Sequence, residues 1–337
     1  MQLLDEFLAY EQRISVDTKL RTNQFVKYKS WYVSENYMKK ILVYPMLSVE
    51  DKIHPLRMRT VLRMAINFVM RRTAKELFPS TSDVIQISHP VYLRAFYNTG
   101  HGHPYTLKVV CDTKHCKYSE ELKREVALRE QLTSLKTINI PKVLSAEQRG
   151  DAFFLVEEMI LGRRFNARTD RTLYRESLLP QLRDTYQAYG VRYAPIQTFL
   201  PPDMTAKVTR LLGERADGKS FVKALKNVIE RNGLVAVSLC HGDLGAGNLA
   251  VVNDTVFFLD WRKAHEGMII ADLLKTTVKY PHHYYRVKDI REIMTSNFID
   301  NSCLFEELVT AGIALETLRV NPIRIPKLLH IWHHHAL

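Results

Sequence analysis

Apolar positions recur along this chain with two different periods, and the places where the period changes divide it. Leu3, Leu4, Phe7, Leu8 and Tyr10 have helical spacing, as do Val61, Met64, Ala65, Phe68 and Val69. Between them lies an aromatic and basic stretch containing Lys27, Tyr28, Lys29, Trp31, Tyr32, Lys39 and Lys40. Its long side chains suit an amphipathic helix whose stems cover apolar surface. Residues 1–82 therefore read as a mostly helical N-terminal extension, punctuated by Pro55 and Pro79. From Asp83 the pattern becomes strand-like. Val84 to Ser88, Val91 to Tyr97 and Tyr105 to Val110 are β-rich runs separated by Ser88-His-Pro90 and by the Gly/His/Pro segment 98–104. Ser119 to Leu135 returns to helical spacing through Leu122, Val126, Leu128, Leu132 and Leu135. Two further strand-like runs follow, Ile138 to Leu144 and Ala152 to Ile160. Helices are then expected over Leu173 to Tyr189, Met204 to Leu212 and Phe221 to Ile229, with Pro201-Pro202 breaking the first two and Asp203 as a cap.

One later stretch has a different texture. Apolar Val235 to Cys240 passes into the polar, Gly-rich loop His241 to Asn248, and two apolar runs, Leu249 to Val252 and Val256 to Leu259, flank Asn253-Asp254. An Asn-Asp turn between short β-favouring runs predicts a hairpin. Asp243 and Asn248 then sit on the loop before the hairpin and Asp260 at the end of its second strand, so three oxygen-bearing side chains return to one edge. Phosphoryl transfer needs such a set: a carboxylate to orient the acceptor hydroxyl, and an Asn and an Asp to hold Mg²⁺ against phosphates.

Upstream, Lys108 lies mid-strand between apolar neighbours, where its ammonium requires a counter-ion. Glu125 is available in the following helix, with Glu121 and Glu130 as alternatives.

The run His241-Gly-Asp-Leu-x-x-x-Asn248 followed by Asp260-Trp261 resembles the aminoglycoside phosphotransferase and choline kinase branch of the protein-kinase-like superfamily. Protein kinases usually carry Arg where this chain has Gly242, and Phe-Gly where it has Trp261-Arg262. The resemblance spans roughly Asp83 to Tyr285 and implies a two-lobed α+β fold. A small antiparallel-sheet lobe over 83–161 would bind nucleotide, and a larger, mostly helical lobe over 162–337 would bind the acceptor. It implies ATP and Mg²⁺ as cofactors, Asp243 as the catalytic carboxylate, and Asn248 and Asp260 as metal ligands. Lys108 would contact the ATP phosphates, oriented by Glu125, which matches the family's Arg-Glu-Val run. Leu155 to Gly162 resembles the interlobe hinge, where the Glu158 carbonyl and the Ile160 amide would meet adenine. His241 and Asp272 fall at positions that brace the catalytic loop. One departure is that Ser88-His-Pro90 has no glycine where many relatives place a Gly-rich phosphate cover, and Pro90 supplies no amide.

Charge sharpens the acceptor. The 337 residues carry 48 Lys+Arg against 36 Asp+Glu, a net charge of +12. Arg262, Lys263 and the aromatic, basic stretch Lys279 to Arg286 fall where the aminoglycoside branch usually has acidic walls. A hydroxyl-bearing small molecule or glycolipid is expected; an anionic one, such as a phosphorylated sugar or lipopolysaccharide core, with peripheral membrane contact, suits the charge, while a solvated basic loop and antibiotics other than aminoglycosides stay open. A choline-type acceptor would want acids near its tyrosines, and these are sparse. A catalytically silent nucleotide-binding scaffold would explain the missing glycines but not the joint presence of Lys108, Asp243, Asn248 and Asp260. No Lys/Arg run is long enough for a nucleic-acid arm. The acidic start, the lack of a long apolar span and four cysteines without a disulfide framework point to a cytoplasmic protein. Three adjacent histidines near the C-terminus, and Cys111, His115 and Cys116, lack the ligand sets of a zinc site.

Overall fold

The computed structural model describes residues 2–14, 23–28, 31–34, 75–78, 82, 84–89, 92–97, 104–111, 117–166, 169–212, 216–278, 285–299, 303–319 and 325–335. The helix expected around Val61 to Val69, the loop 98–103 and the stretch Lys279–Tyr284 lie outside the described residues. The chain forms two units: Met1–Gln131 with Ile140–Arg163, and Leu132–Asn139 with Arg164–Leu337. Among the described residues no helix is long and apolar enough to cross a membrane.

The first unit is built on an antiparallel sheet. Its strands are β1 (Asn23–Tyr28), β2 (Trp31–Ser34), β3 (Lys75–Phe78), β4 (Val84–His89), β5 (Tyr92–Tyr97), β6 (Tyr105–Cys111), β7 (Val143–Arg149) and β8 (Ala152–Glu158). They lie in the order β3-β1-β2-β4-β5-β6-β8-β7. Alternation assigns the two faces. Leu93, Ala95 and Tyr97 of β5 with Leu107, Val109 and Cys111 of β6 face Leu3, Phe7 and Tyr10 of helix α1 (Gln2–Ile14). Tyr10 stacks on Phe154 at 4.1 Å between ring centroids. The opposite face carries Tyr92, Val110, Phe153 and Leu155, which meet Leu122 and Val126 of helix α2 (Lys117–Leu135).

The N-terminal extension is not purely helical. Helix α1 is present, but residues 23–28, 31–34 and 75–78 are strands that widen the sheet. Phe25, Val26 and Tyr28 pair with Ser34, Val33 and Trp31, so β-branched and aromatic side chains joined by two residues favour a hairpin over the helix read from the lysine spacing. The run expected over Ile138 to Leu144 also shifts, the strand running over Val143–Arg149 instead. Edge position explains this, since only β8 flanks it and its polar residues can face solvent. Ser88 and His89 end β4 at a register shift, and Pro90 lies outside the described residues.

The main part of the second unit begins within the two-residue strand β9 (Arg163–Arg164). Its helices are α3 (Leu179–Tyr189, entered through a π turn at Tyr174–Leu178), α4 (Met204–Leu212), α5 (Ala216–Arg231), α6 (Ile269–Val278), α7 (Tyr285–Asn297), α8 (Phe305–Arg319) and α9 (Ile325–His335). Leu308, Val309, Ala311, Ile313 and Ala314 are all buried, so α8 is apolar all round and runs through the core. Strand β11 (Leu234–Cys240), buried over six of its seven residues, lies between β10 (Arg192–Pro195) and β14 (His265–Met268). Strands β12 (Leu249–Val252) and β13 (Thr255–Phe258) form the expected hairpin. Its turn residues Asn253 and Asp254 have φ of 45° and 59°, the left-handed pair that a two-residue hairpin loop demands.

Candidate active site

In the first unit a buried charge cluster sits between sheet and helix. Opposed residues of antiparallel strands share a face, and β6 places Lys108 opposite Leu155, with Glu157 one step diagonal on the same face of β8. Helix α2 offers Glu125 and, one turn on, Arg129. The Lys108 ammonium lies 3.2 Å from Glu125 and 3.1 Å from Glu157. Arg129 lies 3.6 Å from Glu125 and 2.5 Å from Glu157, and also donates to the Pro141 carbonyl. Two cations thus meet two carboxylates, and all four side chains are buried. Burial alone would push the Lys108 ammonium down, but Glu125 and Glu157 outweigh it and hold the group above its ordinary value. Burial would raise the Glu157 carboxyl, yet Lys108 and Arg129 keep it below the usual carboxylate range.

Sequence reasoning reached Lys108 and Glu125 but not Glu157 or Arg129. Period-two alternation along β8 was the available signal: it puts residues 153, 155 and 157 on the lysine's face. It also separates Glu158 from the cluster. Glu158 ends β8, its N–H donating to the Lys142 carbonyl at 2.9 Å and its carboxylate accepting from the Lys142 N–H at 3.3 Å. Ile160 is buried two residues further on.

In the second unit the loop after β11 is fixed from below by Asp272, in the first turn of α6 and 1% exposed. Its Oδ2 accepts the His241 N–H at 2.7 Å and the Tyr186 hydroxyl at 3.2 Å, and its Oδ1 accepts the Gly242 N–H at 3.0 Å. Lys275, one turn along, donates to the Gly242 carbonyl at 2.6 Å. Tyr186 and Lys275 lie far from the motif in sequence or on its margin, and nothing in their spacing marks them. Gly242 has φ +78°, and a Cβ there would lie 2.0 Å from the Lys263 carbonyl oxygen. Strain and close approach both exclude a side chain, which accounts for glycine at the position where protein kinases carry arginine.

His241 is fully buried and packs against Trp261 at 4.5 Å between ring centroids, with the rings tilted by 44°. Its Nε2 bonds the Leu259 carbonyl at 2.9 Å, and its Nδ1 lies 3.3 Å from the Asp243 amide nitrogen. A carbonyl on one side and an N–H on the other specify a neutral ring with the proton on Nε2. Burial pushes its pKa below the ordinary 6.5, against the pull of Asp272. The sign follows: the unfolded histidine takes a proton first, so this contribution to stability is full above 6.5 and is lost as pH falls through the depressed folded value. Denaturant unfolding between pH 7.5 and 5.5 should show the wild type losing more stability than His241→Asn. Equal losses would remove His241 as the source.

The loop then presents its oxygens. The Asn248 side-chain N–H donates to the Asp243 carbonyl at 2.9 Å, and the Leu259 N–H donates to the Asn248 carbonyl at 2.9 Å, tying the end of β13 to the loop. Asp260 follows in the left-handed region (φ 61°), a strained conformation of the kind that concentrates at functional sites. Its two oxygens take the Arg262 guanidinium at 2.7 and 3.0 Å. The Asp243 Oδ2 takes the Lys263 ammonium at 2.9 Å. The pairing Cys240↔His265 between β11 and β14 brings residues 262–265 beside the loop. Asp260, a carboxylate that already holds a cation bidentately, and Asn248, an amide anchored to the same loop through its N–H, offer hard oxygen donors that fit Mg²⁺. Among the described residues no cluster of three or more His, Cys, Asp or Glu could hold a metal. Cys111, Cys240 and Cys303 are buried thiols.

No curated protein matches the chain in sequence. Solved structures resemble it at low identity. The amicoumacin kinase hAmiN in complex with AMP-PNP, Ca²⁺ and Ami is 13% identical over 74% of this chain and 87% of its own, with a TM-score of 0.46. The aminoglycoside phosphotransferase from Alicyclobacillus acidocaldarius is 10% identical over 74% and 88%, with a TM-score of 0.47. The choline kinase LicA from Streptococcus pneumoniae is 14% identical over 82% and 91%, with a TM-score of 0.42. These values assign no residue a role. The sequence match is the stronger finding: residues 84–285, more than half of the chain, match one family throughout, so the chain belongs to the phosphotransferase enzyme family.

Proposed function

We propose that this phosphotransferase moves the γ-phosphoryl of Mg-ATP to a hydroxyl of a small molecule or glycolipid in the cytoplasm. The observation that carries the reading is Asp243, an accessible carboxylate on a loop whose backbone is clamped by a buried one, Asp272, through two amides. Asp243 accepts a hydrogen bond from the acceptor hydroxyl, aims its oxygen and takes the proton late, as the loose transition state forms. Asn248 and Asp260 are the residues that would hold Mg²⁺. When bound, that ion offsets charge on the phosphoryl oxygens. Lys108 binds the nucleotide phosphates, with Glu125, Glu157 and Arg129 fixing its position. Glu158 and Ile160 offer main-chain groups to adenine. His241, neutral and buried, shapes the loop and moves no proton.

The test is ADP release from Mg-ATP across aminoglycosides, macrolides, choline, sugars and lipopolysaccharide cores, with Asp243→Asn as the blank. Release that depends on one acceptor and vanishes in the blank supports the reading. Failure of Mg-ATP to raise the melting temperature, with no release from any acceptor, would overturn it.

A further inference from the structure

Two cations stand on the two reaction carboxylates, and both come from one short turn. Trp261–Lys263 is a 3₁₀ turn closed by the Ala264 N–H to the Trp261 carbonyl at 2.9 Å. Trp261, 2% exposed, anchors it against His241 and Phe258. The Lys263 carbonyl bonds His265 Nδ1 at 2.9 Å and fills the space that a Gly242 side chain would need. The backbone carrying both cations is therefore pinned to the loop that carries Asp243. The Lys263 side chain is 65% exposed and its ammonium reaches Asp243 at 2.9 Å, while the Arg262 fork holds both Asp260 oxygens.

We propose that Arg262 and Lys263 form the acceptor-reading element of this site, and that the acceptor is an alcohol carrying a phosphate or carboxylate close to its reacting hydroxyl. The inference rests on Asp243 being the carboxylate that orients that hydroxyl. An acceptor oxygen bonded to Asp243 lies no more than about 8 Å from the ammonium held on the same carboxylate, given ordinary bond lengths. A cationic acceptor would there meet like charge, and an anionic one its complement. Nearby acids do not reverse this. Asp243 and Asp260 are the two carboxylates that the pair itself holds, Glu266 is engaged by Arg192, and Asp272 and Glu316 are buried beside Lys275 beneath the loop. Lys275, on the Gly242 carbonyl, lies 4.0 Å from Asp272 and 3.9 Å from Glu316, so it offsets those acids rather than adding to the field. Asp260, which the Arg262 guanidinium holds through both oxygens, would take a divalent ion in its place, and the planar guanidinium fork suits a phosphate or carboxylate. The same pair thus masks the carboxylates before binding and reads the anion after it.

The experiment titrates glycerol 3-phosphate and glycerol, by calorimetry, into protein saturated with Mg²⁺ and AMP-PNP. Glycerol 3-phosphate should bind at least about tenfold more tightly than glycerol, and Lys263→Glu and Arg262→Ala should each erase most of that preference. Equal binding of the two probes, or a preference untouched by Lys263→Glu, overturns the proposal. Loss of AMP-PNP binding in Lys263→Glu also overturns it, because the lysine would then serve the nucleotide. If the wild type fails to bind AMP-PNP with Mg²⁺, the phosphotransfer reading itself falls. Co-sedimentation with phosphatidylglycerol vesicles over phosphatidylcholine vesicles, abolished by Lys263→Glu, would identify a lipid headgroup as the source of the anion. Binding of glycerol 3-phosphate without sedimentation would identify a soluble one.

Discussion

Replacing Asp243 by Asn is expected to lower turnover by about 10²–10⁴-fold while leaving nucleotide binding nearly unchanged. The substitution keeps the shape of the side chain but removes the charge that draws the acceptor proton. It should not disturb the fold, since the carboxylate is 41% exposed and its fixed partners act on the backbone. Single-turnover rates and AMP-PNP affinity would be measured together. Retained turnover would remove Asp243 from the chemistry, and lost AMP-PNP affinity would make it a nucleotide ligand instead.

The second large effect is expected at Asp272. Asp272→Ala leaves the His241 and Gly242 amides without their acceptor in a site that solvent scarcely reaches. A buried donor left unpaired costs about 1–3 kcal/mol, and removing one partner from a buried charged network about 3–5 kcal/mol. The variant should lose several kcal/mol in denaturant unfolding and most of its turnover. Asp272→Asn keeps one acceptor oxygen but turns an N–H toward an N–H, so it should fall between. A stable Asp272→Ala protein with full activity would show that the loop holds its shape without the brace.

The hairpin, the helix after β6 and the loop oxygens were legible because each rests on local chemistry. Asn253-Asp254 announces a turn, and a lysine among apolar strand residues announces a carboxylate. That the lysine meets two carboxylates and a competing arginine was not legible, because Glu157 and Arg129 enter through strand register and helix phase. The amphipathic helix expected over the Lys-aromatic stretch gives way to strands at Asn23–Tyr28 and Trp31–Ser34 for a related reason. Lysines interleaved with aromatics satisfy a helical pattern and a strand pattern equally well. What decided was a neighbouring edge to pair with, the exposed side of β4. Arg262 and Lys263 were visible as charges, but their placement on Asp260 and Asp243 depends on β14 returning beside β11.

Those extra N-terminal strands lie outside the span that matches the family, which begins at residue 84. A chain trimmed to the family's bounds would keep its catalytic motif yet bare the outer edge of β4, where β2 now pairs. It would also uncover the apolar face that Leu3, Phe7 and Tyr10 now shield. An unpaired edge beside an uncovered greasy face invites chain-to-chain stacking. Removing residues 1–82 is therefore expected to make this enzyme aggregate at lower concentration, which light scattering of the full and trimmed chains would show.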